Sequence, residues 1–178
     1  YLEPEPHEDS LIDIQGGGSD LIFPHHEMCA SQAQVLSGKP LASTYVHAGM
    51  IGLDGEKMSK SKGNLVFVSK LVADGRDPMA IRWALMQSHY RNDRMWTEDL
   101  LITAESEIGS LSKALQKQEV APTQVLIQHI VESLANDLDT QSLIQALNNW
   151  VVQTNAGVTG GDTKSLLAVL DALLGIRV

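Results

Sequence analysis

One cysteine, Cys29, is present in 178 residues. No intrachain disulfide can therefore form, and a single thiol fits a reducing compartment. Aromatic residues are few, at 4 %, and they do not interleave with basic side chains over any long stretch, as a base-stacking groove would require. Long apolar runs are missing too. Stretches such as Leu65-Val66-Phe67-Val68 fall far short of the roughly 20 residues that a membrane helix needs. No repeat of fixed period appears, which argues against a solenoid. The opening Tyr1-Leu2-Glu3-Pro4-Glu5-Pro6 has no starting Met and no basic segment leading into an apolar one, so no signal peptide is expected. It reads as an internal start within a longer polypeptide. A soluble, cytoplasmic chain follows, long enough for one sizeable core or for part of a domain plus a smaller one.

What is present is charge, unevenly spread. The formal net charge is −9. Residues 1–56 carry nine acidic and one basic side chain, residues 57–94 eight basic and three acidic, and residues 97–178 ten acidic and four basic. Only the middle segment is basic. A protein that grips a long nucleic acid spreads Lys and Arg over its contact face, because neutralised phosphates drive binding through counterion release. An acidic terminal third argues against that role.

Leu11-Ile12-Asp13-Ile14 predicts a short strand that stops at Gly16-Gly17-Gly18. A helix is expected over residues 21–36, with Ser19 or Asp20 as its cap and Ser37-Gly38-Lys39-Pro40 as its end. A second apolar segment begins at Thr44 and runs through Leu53 to a turn at Asp54-Gly55. Strand, helix, strand is the rhythm of a parallel sheet. Residues 55–64 read as a loop, and everything beyond Val68 as helices. Leu100, Leu101, Ala104, Ile108, Leu111 and Leu115 repeat at helical spacing behind a Thr97 cap. Further helices are expected near residues 123–134, 140–151 and 163–174. The fold class is thus α/β followed by an α-helical bundle, divided as residues 1–66 and 67–178.

Five segments stand out by their residue types. Lys57-Met58-Ser59-Lys60-Ser61-Lys62 lies between Gly55 and Gly63 and sets three ammonium groups on a polar loop. Such groups can stabilise the negative charge that develops when a carboxylate attacks the α-phosphate of ATP, with hydrogen bonds from Ser59 and Ser61. A merely solvated loop is the bland alternative. Gly16-Gly17-Gly18-Ser19-Asp20 permits close backbone approach to a nucleotide, with Asp20 placed to accept from ribose hydroxyls; taken alone it is better read as a tight turn with Asp20 as an ordinary cap, and the lysine loop downstream turns the reading toward an adenosine site. His25 and Cys29 stand four apart in Phe23-Pro24-His25-His26-Glu27-Met28-Cys29, where both could reach zinc, yet two ligands do not close a site that needs about three. His47 to Gly52 reads as a strand offering main-chain groups to an adenine edge or as plain sheet core. His89 to Trp96 reads as a junction between helices pinned by ion pairs.

Taken together, DIQGGGSDLIFPHHE at residues 13–27, HAGMIGLDGEKMSKSKGN at residues 47–64 and HYR at residues 89–91 resemble the C-terminal half of a class I, Rossmann-like nucleotidylyl-transferase core of the cysteinyl-tRNA synthetase superfamily. The likeness covers roughly residues 11–97. It implies ATP as substrate, held by Gly18, Ser19, Asp20, the backbone at Ile51 and a KMSKS loop of Lys57, Met58, Ser59, Lys60 and Ser61. It also implies zinc, with His25 as a ligand and the thiolate of substrate cysteine bound to the metal. Soft thiolate is preferred there to the hydroxyl of serine.

The superfamily has two branches to separate. In one the acceptor of cysteine is tRNA; in the other, the mycothiol-pathway ligase, it is the amine of glucosaminyl-inositol. Gln15 stands where the synthetases usually have His, and Cys29 where they have a Glu zinc ligand. These residues, together with stretches such as Asn64 to Leu71, Gly75 to Pro78 and Asp171 to Gly175, look like the ligase. The resemblance therefore implies ATP-dependent ligation of L-cysteine to the amino sugar through a cysteinyl-adenylate, with no nucleic-acid partner. The alternatives are cysteinyl-tRNA synthetase and a non-catalytic fragment that binds nucleotide or a partner. The chain lacks the family's HIGH motif and upstream Cys ligands, so by itself it is expected to be inactive.

Overall fold

A computed structural model describes residues 9–178; residues 1–8, which include the acidic opening, lie outside them. The chain divides into two compact units, residues 1–52 with 90–94, and residues 53–89 with 95–178.

In the first unit, strand β1 (Ile12–Gly18) pairs in parallel with β2 (Ala42–Ala48), and helix α1 (Glu27–Ser37) lies between them in sequence. The βαβ rhythm is as expected, but β1 does not stop at its glycines. Gly16, Gly17 and Gly18 face Val46, His47 and Ala48 in register. Glycine has no preference for a strand, and here the hydrogen-bonding partner, not local propensity, decides. The helix expected from residue 21 is also shorter than its pattern. Ser19–Leu21 is a single tight turn with Gly18 at its N-cap position and no side-chain cap bond, and Phe23 has extended angles, φ −135° and ψ 136°. Pro24 explains this, because a proline disfavours helical angles in the residue before it. α1 ends where the sequence says it should, on Gly38 with φ 72°.

Little of this unit is dry. Ile14, Phe23, Val35 and Leu36 are 64, 71, 84 and 85 % exposed, although parallel sheets are ordinarily covered on both faces. At the corner after β2, Gly49 N–H donates to the Tyr90 carbonyl (2.8 Å), Met50 N–H to Oδ1 of Asp93 (2.6 Å) and Arg94 N–H to the Met50 carbonyl (2.9 Å). A Cβ on Gly49 would run into the backbone of Asn92. Main-chain groups and the Asp93 carboxylate thus hold this corner, and at the start of the segment Nε2 of His89 lies 3.8 Å from Oδ2 of Asp137. The guanidinium of Arg91 stacks 5.2 Å from the Tyr90 ring centroid.

Strand β3 (Ile51–Leu53) turns through Asp54 (φ 52°) and Gly55 (φ 82°) into β4 (Glu56–Lys57). Two consecutive left-handed residues are the requirement of a tight hairpin turn, and Asp-Gly meets it. β5 (Arg94–Trp96) completes a small sheet of order β4-β3-β5. Residues 89–96 were expected to join helices only, so this strand is a correction.

The second unit is otherwise helical: α2 (Val68–Ala73), α3 (Pro78–Met86), α4 (Glu98–Leu115), α5 (Gln124–Ala135), α6 (Thr140–Asn155) and α7 (Thr163–Val169), the last prolonged by a wider turn at Leu170–Leu174. Thr97 caps α4 through Oγ1, which accepts from Leu100 N–H at 3.1 Å, and Asp139 caps α6 in the same way from Ser142 N–H at 3.0 Å. The α4 stripe Leu101, Ala104, Ile108 and Leu111 is buried against α3 and α6. Glu107, on the same helix, ties three helices together. Its carboxylate accepts from Trp83 Nε1 (2.7 Å), Gln87 Nε2 (2.7 Å) and Asn148 Nδ2 (2.8 Å). No described helix is long and apolar enough to cross a membrane.

Candidate active site

Side chains alternate along a strand, so Gln15 and Gly17 project to one face of β1. The parallel register sets Tyr45 opposite Gln15 and His47 opposite Gly17. Gly17 leaves a gap on that face, and the ring of His26 fills it. A Cβ at position 17 would stand 2.9 Å from Cε1 of His26 and 2.9 Å from Cδ1 of Leu21. His26 is buried, at 7 % exposure, yet both ring nitrogens are bonded: Nε2 lies 3.1 Å from Nε2 of Gln15, and Nδ1 lies 2.8 Å from Nε2 of His47. An amide nitrogen only donates. Nε2 of His26 therefore accepts, its proton sits on Nδ1, and Nδ1 donates to His47. Burial, and then the electrostatic influence of the neighbouring His26, hold the pKa of His47 below its ordinary 6.5.

At the end of β1 the chain folds back on itself. Oδ1 of Asp20 lies 2.6 Å, and Sδ of Met50 3.2 Å, from where a Cβ of Gly18 would be. Only glycine leaves that room. Ser19 is half-buried, Asp20 is exposed, and Ile51, in the same unit, is half-buried at the start of β3.

His25 and Cys29 are both exposed, and Cys29 is a free thiol. Among the described residues no group of three or more His, Cys, Asp or Glu could hold a metal ion. The described residues by themselves do not make a zinc site. His25 stays available as a single ligand, whereas its neighbour His26 is consumed by the sheet.

In the second unit, the segment from Lys57 to Val66 closes on itself. Oδ1 of Asn64 accepts from Ser59 N–H (2.9 Å), and Nδ2 of Asn64 donates to the Lys57 carbonyl (3.3 Å). Sδ of Met58 accepts from Val66 N–H (3.4 Å), so this half-buried side chain anchors the loop. Oγ of Ser59 lies 3.2 Å from Oγ of Ser61 and accepts from Lys62 N–H (3.3 Å). Gly63 N–H donates to the Lys60 carbonyl (3.2 Å), with φ 69° at Gly63. Lys57, Lys60 and Ser61 are exposed. Nζ of Lys62 is 2.7 Å from Oε2 of Glu56.

Of the residues singled out in the sequence, Gly18, Ser19, Asp20, His25 and Ile51 belong to the first unit and Lys57, Met58, Ser59, Lys60 and Ser61 to the second. Sequence reasoning did not single out His26, His47 or Asn64. The alternation of Gln15 and Gly17 held a signal for the first two. Asn64, seven residues from Lys57, held none.

The tRNA synthetases class I (C) catalytic domain family matches residues 7–106. A ligase of Nakamurella multipartita, L-cysteine:1D-myo-inositol 2-amino-2-deoxy-alpha-D-glucopyranoside ligase, is 52 % identical over 169 residues, covering 94 % of this chain and 40 % of that protein. Ligases of the same name from Streptomyces avermitilis and Salinispora tropica are 50 and 49 % identical over 170 residues each, with 94 % of this chain and 42 % of theirs covered. The chain thus spans about two-fifths of the length of the curated relatives it matches. Among solved structures, the LeuRS of Agrobacterium radiobacter K84, in a ternary complex with tRNA and LeuAMS, superposes with a TM-score of 0.64 at 17 % identity, over 89 % of this chain and 25 % of that one. That likeness bears on the fold alone: α/β elements of a class I synthetase followed by helices. With the family match covering more than half of its residues, the chain belongs to the tRNA synthetases class I (C) catalytic domain family.

Proposed function

We propose that this chain is the C-terminal part of an ATP-dependent ligase that joins L-cysteine to the amine of glucosaminyl-inositol, in mycothiol biosynthesis. The observation that carries the reading is about 50 % identity, over 94 % of the chain, to ligases whose names state that reaction. In the first step a carboxylate oxygen of cysteine attacks the α-phosphorus of ATP, the bond to the bridging oxygen breaks, and pyrophosphate leaves. In the second, the amino-sugar nitrogen attacks the acyl carbon of cysteinyl-adenylate, AMP leaves with the anhydride oxygen, and the nitrogen loses its proton.

The residue roles follow from the chemistry of each group. Lys57 and Lys60 stabilise the charge that gathers on the phosphate oxygens, with Ser59 and Ser61 as hydrogen-bond donors. Asp20 accepts from the ribose, and Gly18, Ser19 and the Ile51 backbone admit the adenosine. Met58 acts by anchoring the loop. In the functional division we favour, residues 1–66 end the catalytic domain and residues 67–178 form the bundle, in a cytoplasmic enzyme. Zinc, when bound, supplies a soft Lewis acid that selects thiolate over hydroxyl. His25 is the ligand this chain would contribute; among the described residues no group of three or more His, Cys, Asp or Glu completes the site.

The test is acceptor choice. The full-length protein is given ATP, zinc and radiolabelled cysteine, with glucosaminyl-inositol in one reaction and tRNA in another. Label transferred to the amino sugar alone supports the ligase. Label on tRNA alone replaces it with cysteinyl-tRNA synthetase, the reading to which the family's name also lends weight.

A further inference from the structure

The lysine loop is closed at its neck by one side chain. Asn64 bonds two main-chain groups, the Lys57 carbonyl and the Ser59 N–H, and these are the groups that flank Met58. Met58 in turn is tied to the far strand of the loop through Val66 N–H. The neck from Lys57 to Ser59 is therefore held on two sides, by Asn64 and by Val66. The tip, residues 60–63, is held by the turn bond from Gly63 to Lys60, the bond from Lys62 N–H to Ser59, the contact between the Ser59 and Ser61 hydroxyls and the ion pair of Lys62 with Glu56, none of which engages the Lys60 side chain. The Asn64 amide supplies the donor and the acceptor this requires on two separate atoms. Aspartate would lose the bond to Lys57, and leucine would lose both.

We propose that Asn64 is a positioning residue for the adenylation step, fixing the path of Lys57 and Ser59 while leaving Lys60 on a movable tip. The inference rests on the reading of this loop as the phosphate-handling element. It divides the loop's labour: Lys57 is delivered in a preset place, and Lys60 closes on the polyphosphate once it is there. A group held in a reaction-ready place contributes to the rate of the chemical step more than to substrate affinity, and a misplacement of about 1 Å costs on the order of 10²-fold.

The experiment uses the full-length protein and two readouts. Cysteine-dependent exchange of pyrophosphate into ATP follows the first step, and hydrogen exchange at the Ser59 amide follows the neck of the loop directly. The Ser59 amide in the unaltered protein is expected to exchange more slowly than that of Ser61. In Asn64→Ala that protection is lost, and kcat for pyrophosphate exchange falls on the order of 10²-fold, with KM for cysteine and the thermal midpoint unchanged. Asn64→Asp, which keeps the bond to Ser59, retains the amide protection and loses rate. An unprotected Ser59 amide in the unaltered protein, or a full exchange rate in Asn64→Ala, overturns the proposal. Absence of any cysteine-dependent exchange in the unaltered enzyme removes the proposed function itself, and the role of Asn64 with it.

Discussion

Nδ1 of His26 lies 2.8 Å from Nε2 of His47, the two ring centroids are 5.0 Å apart, and the His26 ring sits over the gap that Gly17 leaves in β1. The contact joins the segment before α1 to the end of β2, and Gln15 supplies its other end. Replacing Gln15 by Leu leaves Nε2 of a buried imidazole without its donor, a loss of about 1–3 kcal/mol. Urea unfolding of the full-length protein measures it. A Gln15→Leu variant as stable as the parent would show that water or another group serves His26 equally well.

The same pair makes stability depend on pH. The His47 pKa is lowered in the folded state from its ordinary 6.5, so between those two values the unfolded chain binds more protons than the folded one. Stability from this group is complete above pH 6.5, declines as pH falls through that value toward the lower folded pKa, and is absent below both. A protonated His47 would set an Nε2–H against the Nδ1–H of His26. The thermal midpoint of the parent is expected to fall from pH 8 to pH 5.5 more steeply than that of His47→Gln, whose amide does not titrate. Parallel slopes would count against the effect.

For the lysine loop the expectation is kinetic. Lys60→Ala should lower the rate of adenylate formation on the order of 10²–10³-fold, as loss of one stabilising donor to a developing charge does elsewhere, while cysteine binding changes little. Single-turnover formation of cysteinyl-adenylate and calorimetry with cysteine separate the two. Equal losses in both would mean that Lys60 holds the loop together and does not act on phosphate.

In the helical unit, Glu107→Ala removes the common acceptor of Trp83, Gln87 and Asn148. The buried Trp83 donor left unmet costs about 1–3 kcal/mol, the half-buried amides of Gln87 and Asn148 cost less, and the three are not additive because they share one carboxylate. Glu107→Gln keeps one acceptor oxygen and should lose less. Denaturant midpoints of the two variants order these effects; identical midpoints would place the stability of this junction in its apolar contacts.

These expectations draw on features that the sequence displayed unequally. The α4 stripe behind Thr97 was legible because a period of three and four residues needs no knowledge of the partner. The three later helices announced themselves by Thr and Asp at their starts, and Asp139 and Asp162 accept the cap bonds that such positions imply. The lysine loop was legible as a motif. β5 was not, because three residues that pair with β3 carry no local period. Nor was the passage of β1 through three glycines, which local rules read as a turn and which the register with β2 overrides. His26 had been passed over in favour of His25. Both histidines look alike in the sequence, and only the gap at Gly17 tells which is drawn into the sheet and which is left outside.

That gap links positions far apart in the chain. A hydrogen atom at position 17 and an imidazole at position 26 occupy one volume between them, so neither residue has a tolerance of its own. Gly17→Ala alone sets a methyl group against the ring; with a small residue at 26 the same methyl would find room, but Gln15 and His47 would each lose a partner. The side chains at 15, 17, 26 and 47 are therefore physically coupled, and the proton on Nδ1 of His26 has its direction determined by Gln15, eleven places earlier, through the opposite ring nitrogen.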